Sequence, residues 1–260
     1  MQQLIKKALK TILSKQSRKL YQISKLPRHK NFKTKIDDLS IEAIDPPSFI
    51  AQYNELIRRN IYKFKTKNKA PYIIDCGVNI GLSIISLKRM YPNAKIIGFE
   101  PDPNIFSIAQ KNINNAGYTD VELIKKAVWT EETTMIFYQE GSAGGRLINE
   151  ENDKTLSVPT FDLKKLIICD IDFLKIDIEG AEYEIIRDID DSLHFVQNIF
   201  IEYHSKINQE QNLDEILSIL KKNGFRYFLE SGYLSPENPL ASRIEIDDFD
   251  NLINIFGYRV

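Results

Sequence analysis

Ile73-Ile74-Asp75-Cys76-Gly77-Val78-Asn79-Ile80-Gly81-Leu82 joins an apolar run to a glycine-punctuated turn. The run Tyr72–Cys76 reads as a buried strand, and the pattern over residues 82–91 as a helix that follows at once. Gly77 and Gly81 let the backbone turn tightly and approach a ligand with no Cβ in the way. Asn79 tolerates a left-handed conformation better than most residues. The alternation continues outward from this unit. Residues 95–100, 121–128, 173–178, 198–203 and 225–229 read as strands, with Thr134–Tyr138 as an extra one. Residues 104–116, 181–189 and 213–223 read as the intervening helices. Alternating βα units with short connections imply a mostly parallel central sheet with helices on both faces, a Rossmann-like α/β fold. In such sheets ligands bind outside the carboxyl ends of the strands, at the switch point.

The residues just after each strand carry the chemistry. Asp75 offers an acceptor for a cationic amine. The helix start beyond Gly81 offers free N–H groups to a carboxylate. That pair of poles matches an amino-acid zwitterion, such as the methionine moiety of S-adenosylmethionine. Glu100 closes the second strand before Pro101 and is placed to accept hydrogen bonds from ribose hydroxyls. Asp102-Pro103 reads as a helix N-cap followed by Pro at the first helical position, a structural role. Dinucleotide turns usually run Gly-x-Gly-x-x-Gly. Here position 79 is Asn and position 82 is Leu, which argues against NAD.

Taken together, Ile74-Asp75-Cys76-Gly77-Val78-Asn79-Ile80-Gly81, Phe99-Glu100-Pro101, Ala127-Val128 and Thr160-Phe161-Asp162-Leu163 resemble the FkbM family of methyltransferases. The resemblance is strongest at Asp172-Phe173-Leu174-Lys175-Ile176-Asp177-Ile178-Glu179-Gly180-Ala181-Glu182, and Ile201-Glu202-Tyr203-His204 fits the next strand. It spans residues 72–204. One departure is Val78, where the family usually has Ala. The resemblance implies the class I methyltransferase version of the Rossmann-like fold and transfer of a methyl group from S-adenosylmethionine, usually to a hydroxyl oxygen. It implies cofactor contacts at Asp75, Gly77, Asn79, Gly81, Glu100, Pro101, Ala127 and Asp177. Sugars of bacterial glycans and natural products such as polyketides are among family acceptors.

The catalytic end is expected at the fourth and fifth strands. Lys175, Asp177 and Glu179 alternate, so all three face one side of a strand. Three charges there are costly unless the strand end opens into a crevice. The bland alternative pairs Lys175 with Asp177 or Glu179. Glu202 and His204 likewise share a face. An aliphatic hydroxyl must lose its proton to a base as the methyl arrives, and His204 is a candidate base. Asp177, Glu179 and Glu202 permit Mg²⁺, but no spacing demands a metal. The long polar segment 139–155 reads either as a cover for the acceptor, with Arg146 or Ser142 touching it, or as a disordered insertion. Asp45-Pro46-Pro47-Ser48 faintly resembles the Asp-Pro-Pro-Tyr signature of nucleic-acid amino-methyltransferases, but Ser48 stands where an aromatic would stack. The other class of function is a non-catalytic methyltransferase-like scaffold.

Composition bounds the rest. The 260 residues are 43% hydrophobic and 27% charged, ordinary for a globular protein. Eleven of the 35 basic residues fall within positions 1–36, with no Asp or Glu, which leaves 24 against all 36 acidic residues in the rest. The expected organisation is a basic amphipathic arm over 1–45, a helix (residues 49–62) and linker over 46–70, and the methyltransferase domain over 71–260. In the arm, Leu4, Ile5, Ala8, Leu9, Ile12 and Leu13 recur at helical spacing between lysines, which reads either as a helix on an anionic membrane surface or as an ordinary helix packed on the domain or on a partner subunit, and suits nucleic acid less. No 18-residue apolar run or uninterrupted secretory h-region is seen, so a cytoplasmic location is expected, with peripheral contact at the membrane's inner face following from one reading of the arm. Cys76 and Cys169 are each expected in a buried strand, unpaired. The acceptor's identity and the oligomeric state are left open.

Overall fold

A computed structural model describes residues 14–142, 144–148, 150–232, 238, 240–241 and 249–260. The expected amphipathic helix of residues 4–13 lies outside them. In chain order the elements are α1 (Lys15–Ile23), β1 (Phe32–Ile36), β2 (Leu39–Ala43), α2 (Pro46–Gln52) running into a π-helical turn (Tyr53–Arg59), β3 (Tyr72–Cys76), α3 (Leu82–Met90), β4 (Lys95–Phe99), α4 (Pro103–Asn115), β5 (Glu122–Ile124), β6 (Ala127–Trp129), β7 (Thr134–Tyr138), β8 (Arg146–Ile148), β9 (Thr155–Asp162), β10 (Phe173–Ile176), α5 (Glu182–Asp188), β11 (Asn198–Lys206), α6 (Leu213–Lys222), β12 (Arg226–Ser231) and β13 (Phe249–Tyr258).

Seven strands form the central sheet in the order β12-β13-β11-β10-β3-β4-β5. The pairs from β11 to β5 are parallel, and β13 lies antiparallel between β11 and β12. Successive residues bury to opposite faces. Ile73, Ile96, Phe173 and Phe200 join one core with α3 and α4, while Ile74, Leu174, Ile199 and Ile201 join the other with α5 and α6. This is the class I methyltransferase architecture.

Several features differ from expectation. Residues 121–128 are not one strand. They break at Lys125-Lys126 into β5 in the main sheet and β6 in a four-stranded sheet of order β6-β9-β7-β8. Strand β13 was not expected, because Asp250, Asn251 and Asn254 interrupt its apolar pattern. Asn254 is nonetheless buried. Cys169 is exposed rather than buried, while Cys76 is buried in β3 as expected.

The expected boundary at residue 45 falls inside a single core. The β1–β2 hairpin has one apolar face, Ile36, Leu39, Ile41 and Ala43, which must be covered. That face, with Leu20 and Ile23 of α1, packs into the same cluster as Ile84 and Ile108. The fully buried Asn112 of α4 fastens the join. Its Nδ2 donates to the carbonyls of Glu42 and Ile80, both at 2.8 Å, and its Oδ1 accepts from Glu42 N at 2.8 Å. The hairpin thereby delivers α2 to the carboxyl ends of the strands. Asp45 caps α2, accepting from Ser48 N at 3.2 Å and Ser48 Oγ at 2.8 Å. The Asp45-Pro46-Pro47-Ser48 run is accordingly a helix start.

Candidate active site

From β3 the chain builds the sheet toward β5, and from β10 toward β13 on the other side, so the switch point lies between β3 and β10. Lys175 of β10 sits there, buried. Its Nζ lies 3.1 Å from Asp75 Oδ1 and 3.2 Å from Asp177 Oδ2, and donates to the Gly77 carbonyl at 2.7 Å. Burial works against the ammonium, but Asp177 and Asp75 hold its pKa well above the usual lysine value. Burial raises the Asp75 carboxyl, with Lys175 opposing. For Asp177 the balance tips the other way. Burial opposes its charge, yet Lys175 and His204 hold it below the usual range.

Strand β10 ends at Ile176, and the alternation of charges breaks two residues later. Glu179 and Gly180 both take positive φ, 60° and 99°. The turn sends Glu179 away from Lys175 and toward His204 of β11, whose Nε2 is 3.2 Å from Glu179 Oε2. The other ring nitrogen, Nδ1, meets Glu182 Oε1 at 3.2 Å and the Glu202 carbonyl at 2.9 Å. The Glu202 carboxylate is 3.8 Å from Nε2. Burial works against a charged imidazole, but Glu179, Glu182 and Glu202 hold the His204 pKa well above its ordinary value. Burial pushes Glu179 up to about 7. Burial and the Asp177 anion push Glu202 well above the carboxylate range.

One cavity of about 410 Å³ joins this acidic end to the turn after β3, within the size range of small-molecule sites. Its far end is lined by Gly77, Asn79, Glu100, Pro101 and Ala127, with apolar Phe99, Ile105, Val128 and Phe137 beside them. Gly77 and Asn79 take positive φ, 100° and 50°. Buried Glu100 accepts from Asn79 N and Asp102 N, both at 3.0 Å. Burial raises its pKa to about 8. Asp102 caps α4, accepting from Asn104 N at 2.8 Å and Ile105 N at 3.2 Å.

Of the expected site residues, Gly77, Asn79, Glu100, Pro101, Ala127, Lys175, Asp177, Glu179 and His204 all line this cavity. Two do not. Asp75 is fully buried beneath it with its carboxylate on Lys175, so its charge is already matched and it does not face a ligand amine. Gly81 serves packing, since a Cβ there would lie 3.1 Å from Ile113 Cγ1 and 3.2 Å from the Ala109 carbonyl. The role of His204 also changes. With the Glu179 and Glu182 carboxylates each 3.2 Å from a ring nitrogen, the surroundings favour the protonated ring, which fits a cation and not a resting base. Segment 139–155 carries strand β8. Ser142 lines the cavity and its carbonyl accepts from Asn79 Nδ2 at 3.1 Å, whereas Arg146 lies over the Tyr138 and Phe249 rings.

The oxygens of Asp177 and Glu179 lie with a His204 nitrogen within 4.8 Å of one another. The set does not fit Mg²⁺. That ion wants six near-octahedral oxygens, whereas Asp177 already meets Lys175 and Glu179 already meets the His204 imidazole. Sequence reasoning missed the opposite wall, where Gln52 and Glu55 of the α2 segment and Tyr62 face the cavity. Helical periodicity showed that helix but not which face looks inward. It also gave Glu182 no role, although the residue sits in the most distinctive motif.

Comparison with known proteins places the chain in a family. Residues 75–227, more than half the chain, match the family model described as the methyltransferase FkbM domain. Methyltransferase sdnD of Sordaria araneosa is 26% identical over 204 residues, covering 64% of this chain and 79% of its own. Methyltransferase 1 of Beauveria bassiana is 25% identical over 210 residues, covering 68% and 82%. The crystal structure of methyltransferase FkbM from Methylobacillus flagellatus KT aligns with a TM-score of 0.49 at 15% identity, covering 80% of this chain and 50% of that one. The chain belongs to the FkbM family of methyltransferases.

Proposed function

We propose that the protein moves the methyl group of S-adenosylmethionine to a hydroxyl oxygen of a small-molecule or glycan acceptor, such as a bacterial glycan sugar or a natural product. The observation that carries this is the single cavity with two chemically different ends, a Glu100 end and a Glu179–His204 end, meeting at Gly77 and Asp177. The donor, when bound, supplies an electrophilic methyl carbon on a good leaving group. Glu100 would accept from ribose hydroxyls, and Phe99, Ile105, Val128 and Phe137, which line the same end of the cavity, would flank the adenine. Asp177 faces the cationic portion of the donor. Gln52 Nε2, donating to Asn79 Oδ1 at 3.2 Å, and the Ser142 carbonyl close the cavity over the turn and limit water. The acceptor hydroxyl lies on the wall of Glu55, Tyr62 and Phe200 and gives its proton to Glu179. A base poised near the working pH suits that step, and holding the two partners in line supplies much of the acceleration.

Titration calorimetry with S-adenosylmethionine and S-adenosylhomocysteine tests the donor. Micromolar binding should weaken about tenfold or more in Glu100→Ala, roughly 1.4 kcal/mol. Failure of the wild type to bind either would overturn the reading and bring the scaffold alternative forward.

We also propose that residues 1–36 contact an anionic membrane surface from the cytoplasmic side. No helix among the described residues is long and apolar enough to cross a membrane. Tyr21 and Leu26 are exposed beside Lys25, whose Nζ lies 4.8 Å from the Tyr21 ring, a pairing suited to an interface. Sedimentation with vesicles of anionic lipid should fall several-fold in Lys25→Glu/Lys30→Glu. Equal sedimentation would sink the idea.

A further inference from the structure

Glu182 differs from the other carboxylates around His204. It does not line the cavity, and its side chain is 1% exposed, so it touches neither donor nor acceptor. Yet many donors converge on it. Oε1 accepts from Ile178 N at 3.2 Å and Gly180 N at 3.0 Å. Oε2 accepts from Gly180 N at 3.1 Å and His204 N at 3.5 Å. Oε1 also lies 3.2 Å from Nδ1 of His204, which meets the Glu202 carbonyl at 2.9 Å. A buried carboxylate is tolerated only with such satisfaction, and this one spends its hydrogen bonds on two structures that both lead to Glu179. The Ile178 and Gly180 amides flank Glu179 in its left-handed turn, and the imidazole meets the Glu179 carboxylate.

We propose that Glu182 is the positioning residue of the site, holding the Glu179 backbone through the amides on either side and the Glu179 side chain through a doubly protonated His204. The inference rests on reading Glu179 as the proton acceptor. Four carboxyl groups face the imidazole: Asp177 and Glu179 from the turn after β10, Glu182 from α5 and Glu202 from β11 itself. Phe249 of β13 covers it, with ring centroids 5.1 Å apart, and Lys206 and Arg146 add positive charge nearby. Of the four carboxylates Glu182 alone meets Nδ1, at 3.2 Å, and it shares that nitrogen with the Glu202 carbonyl at 2.9 Å, so the two together orient the ring. The residue acts through His204 and Glu179 and does not itself meet the reacting atoms.

The full chain has three histidines, and His29→Asn/His194→Gln leaves His204 as the sole ring signal. Nitrogen-15 NMR of that protein should show both ring nitrogens protonated at pH 7.5. In the added Glu182→Gln variant the midpoint for loss of the ring proton should fall by about one unit or more, a tenfold change in proton affinity. A neutral ring at pH 7.5 without the Glu182 change, or the same midpoint with it, would overturn the proposal. Should Glu182→Gln fail to fold, the parent spectrum and Glu182→Asp carry the same decision. Calorimetry with S-adenosylhomocysteine on the parent separates the outcomes. A cationic ring without donor binding would leave the Glu182–His204 coupling standing and sink the donor reading on which the positioning role rests.

Discussion

Replacing Lys175 by Met removes the one ammonium between two carboxylates and leaves the apolar stem volume nearly unchanged. Asp75 is fully buried, whereas Asp177 is about a quarter exposed. The larger loss therefore comes from Asp75, whose anion would lie in the sheet with no cation. Breaking one partner of a buried pair costs about 3–5 kcal/mol, a large share of the roughly 5–15 kcal/mol of a typical domain. The loss should depend on pH. Burial already raises the native Asp75 pKa, and without Lys175 it rises further. A group whose native pKa exceeds its unfolded value stabilises the fold below the unfolded value, near 3.9 for Asp, and that contribution is lost as pH rises through the native pKa. The deficit of Lys175→Met against wild type should accordingly be greatest at pH 8 and shrink toward pH 5. Adding Asp75→Asn should recover much of it, because the orphaned charge goes too. Urea unfolding of the wild type, the two single variants and the double variant at both pH values measures this. A deficit below about 1 kcal/mol, equal at pH 5 and pH 8, would refute the claim that Lys175 neutralises a buried anion.

Glu179→Gln should lower methyl transfer by about 10²–10⁴-fold while S-adenosylhomocysteine binding persists. In the wild type the rate should rise with pH through about 7, where Glu179 becomes a carboxylate; a rate flat from pH 5 to 9 would rule Glu179 out as base. Gly77→Ala should cost at least about 2 kcal/mol from its positive φ alone. The added Cβ would also lie 2.0 Å from the Asp177 carbonyl, so donor binding should vanish with it, and calorimetry on the folded variant checks this.

The parallel sheet could be read from sequence because its strands are continuous apolar runs closed by glycine and acid, and those signals are local. Gly77, Asn79 and Glu100 follow from the same unit, since a strand, a turn and a helix leave little freedom in where their ends point. The assignments that failed depend on distant partners. Asp75 looked like a ligand for an amine until β10 placed Lys175 beside it, a hundred residues later. Strand β13 has a polar pattern that pays its way only when neighbours on both sides take its backbone hydrogen bonds.

The sequence by itself determined the βα order, the turn after β3 and the acids at the strand ends, because backbone preference and hydrophobic period act over a few residues. Only the tertiary structure decided which charges meet. Glu179 lies in the turn after β10, Glu182 at the start of α5 and His204 a full crossover away, and the parallel pairing of β10 with β11 is what sets the imidazole between them. It likewise decided that the hairpin of residues 32–43 joins the main core and carries α2 over the cavity. Charge state and cavity walls follow from burial and proximity, and neither is a property of any short stretch of chain.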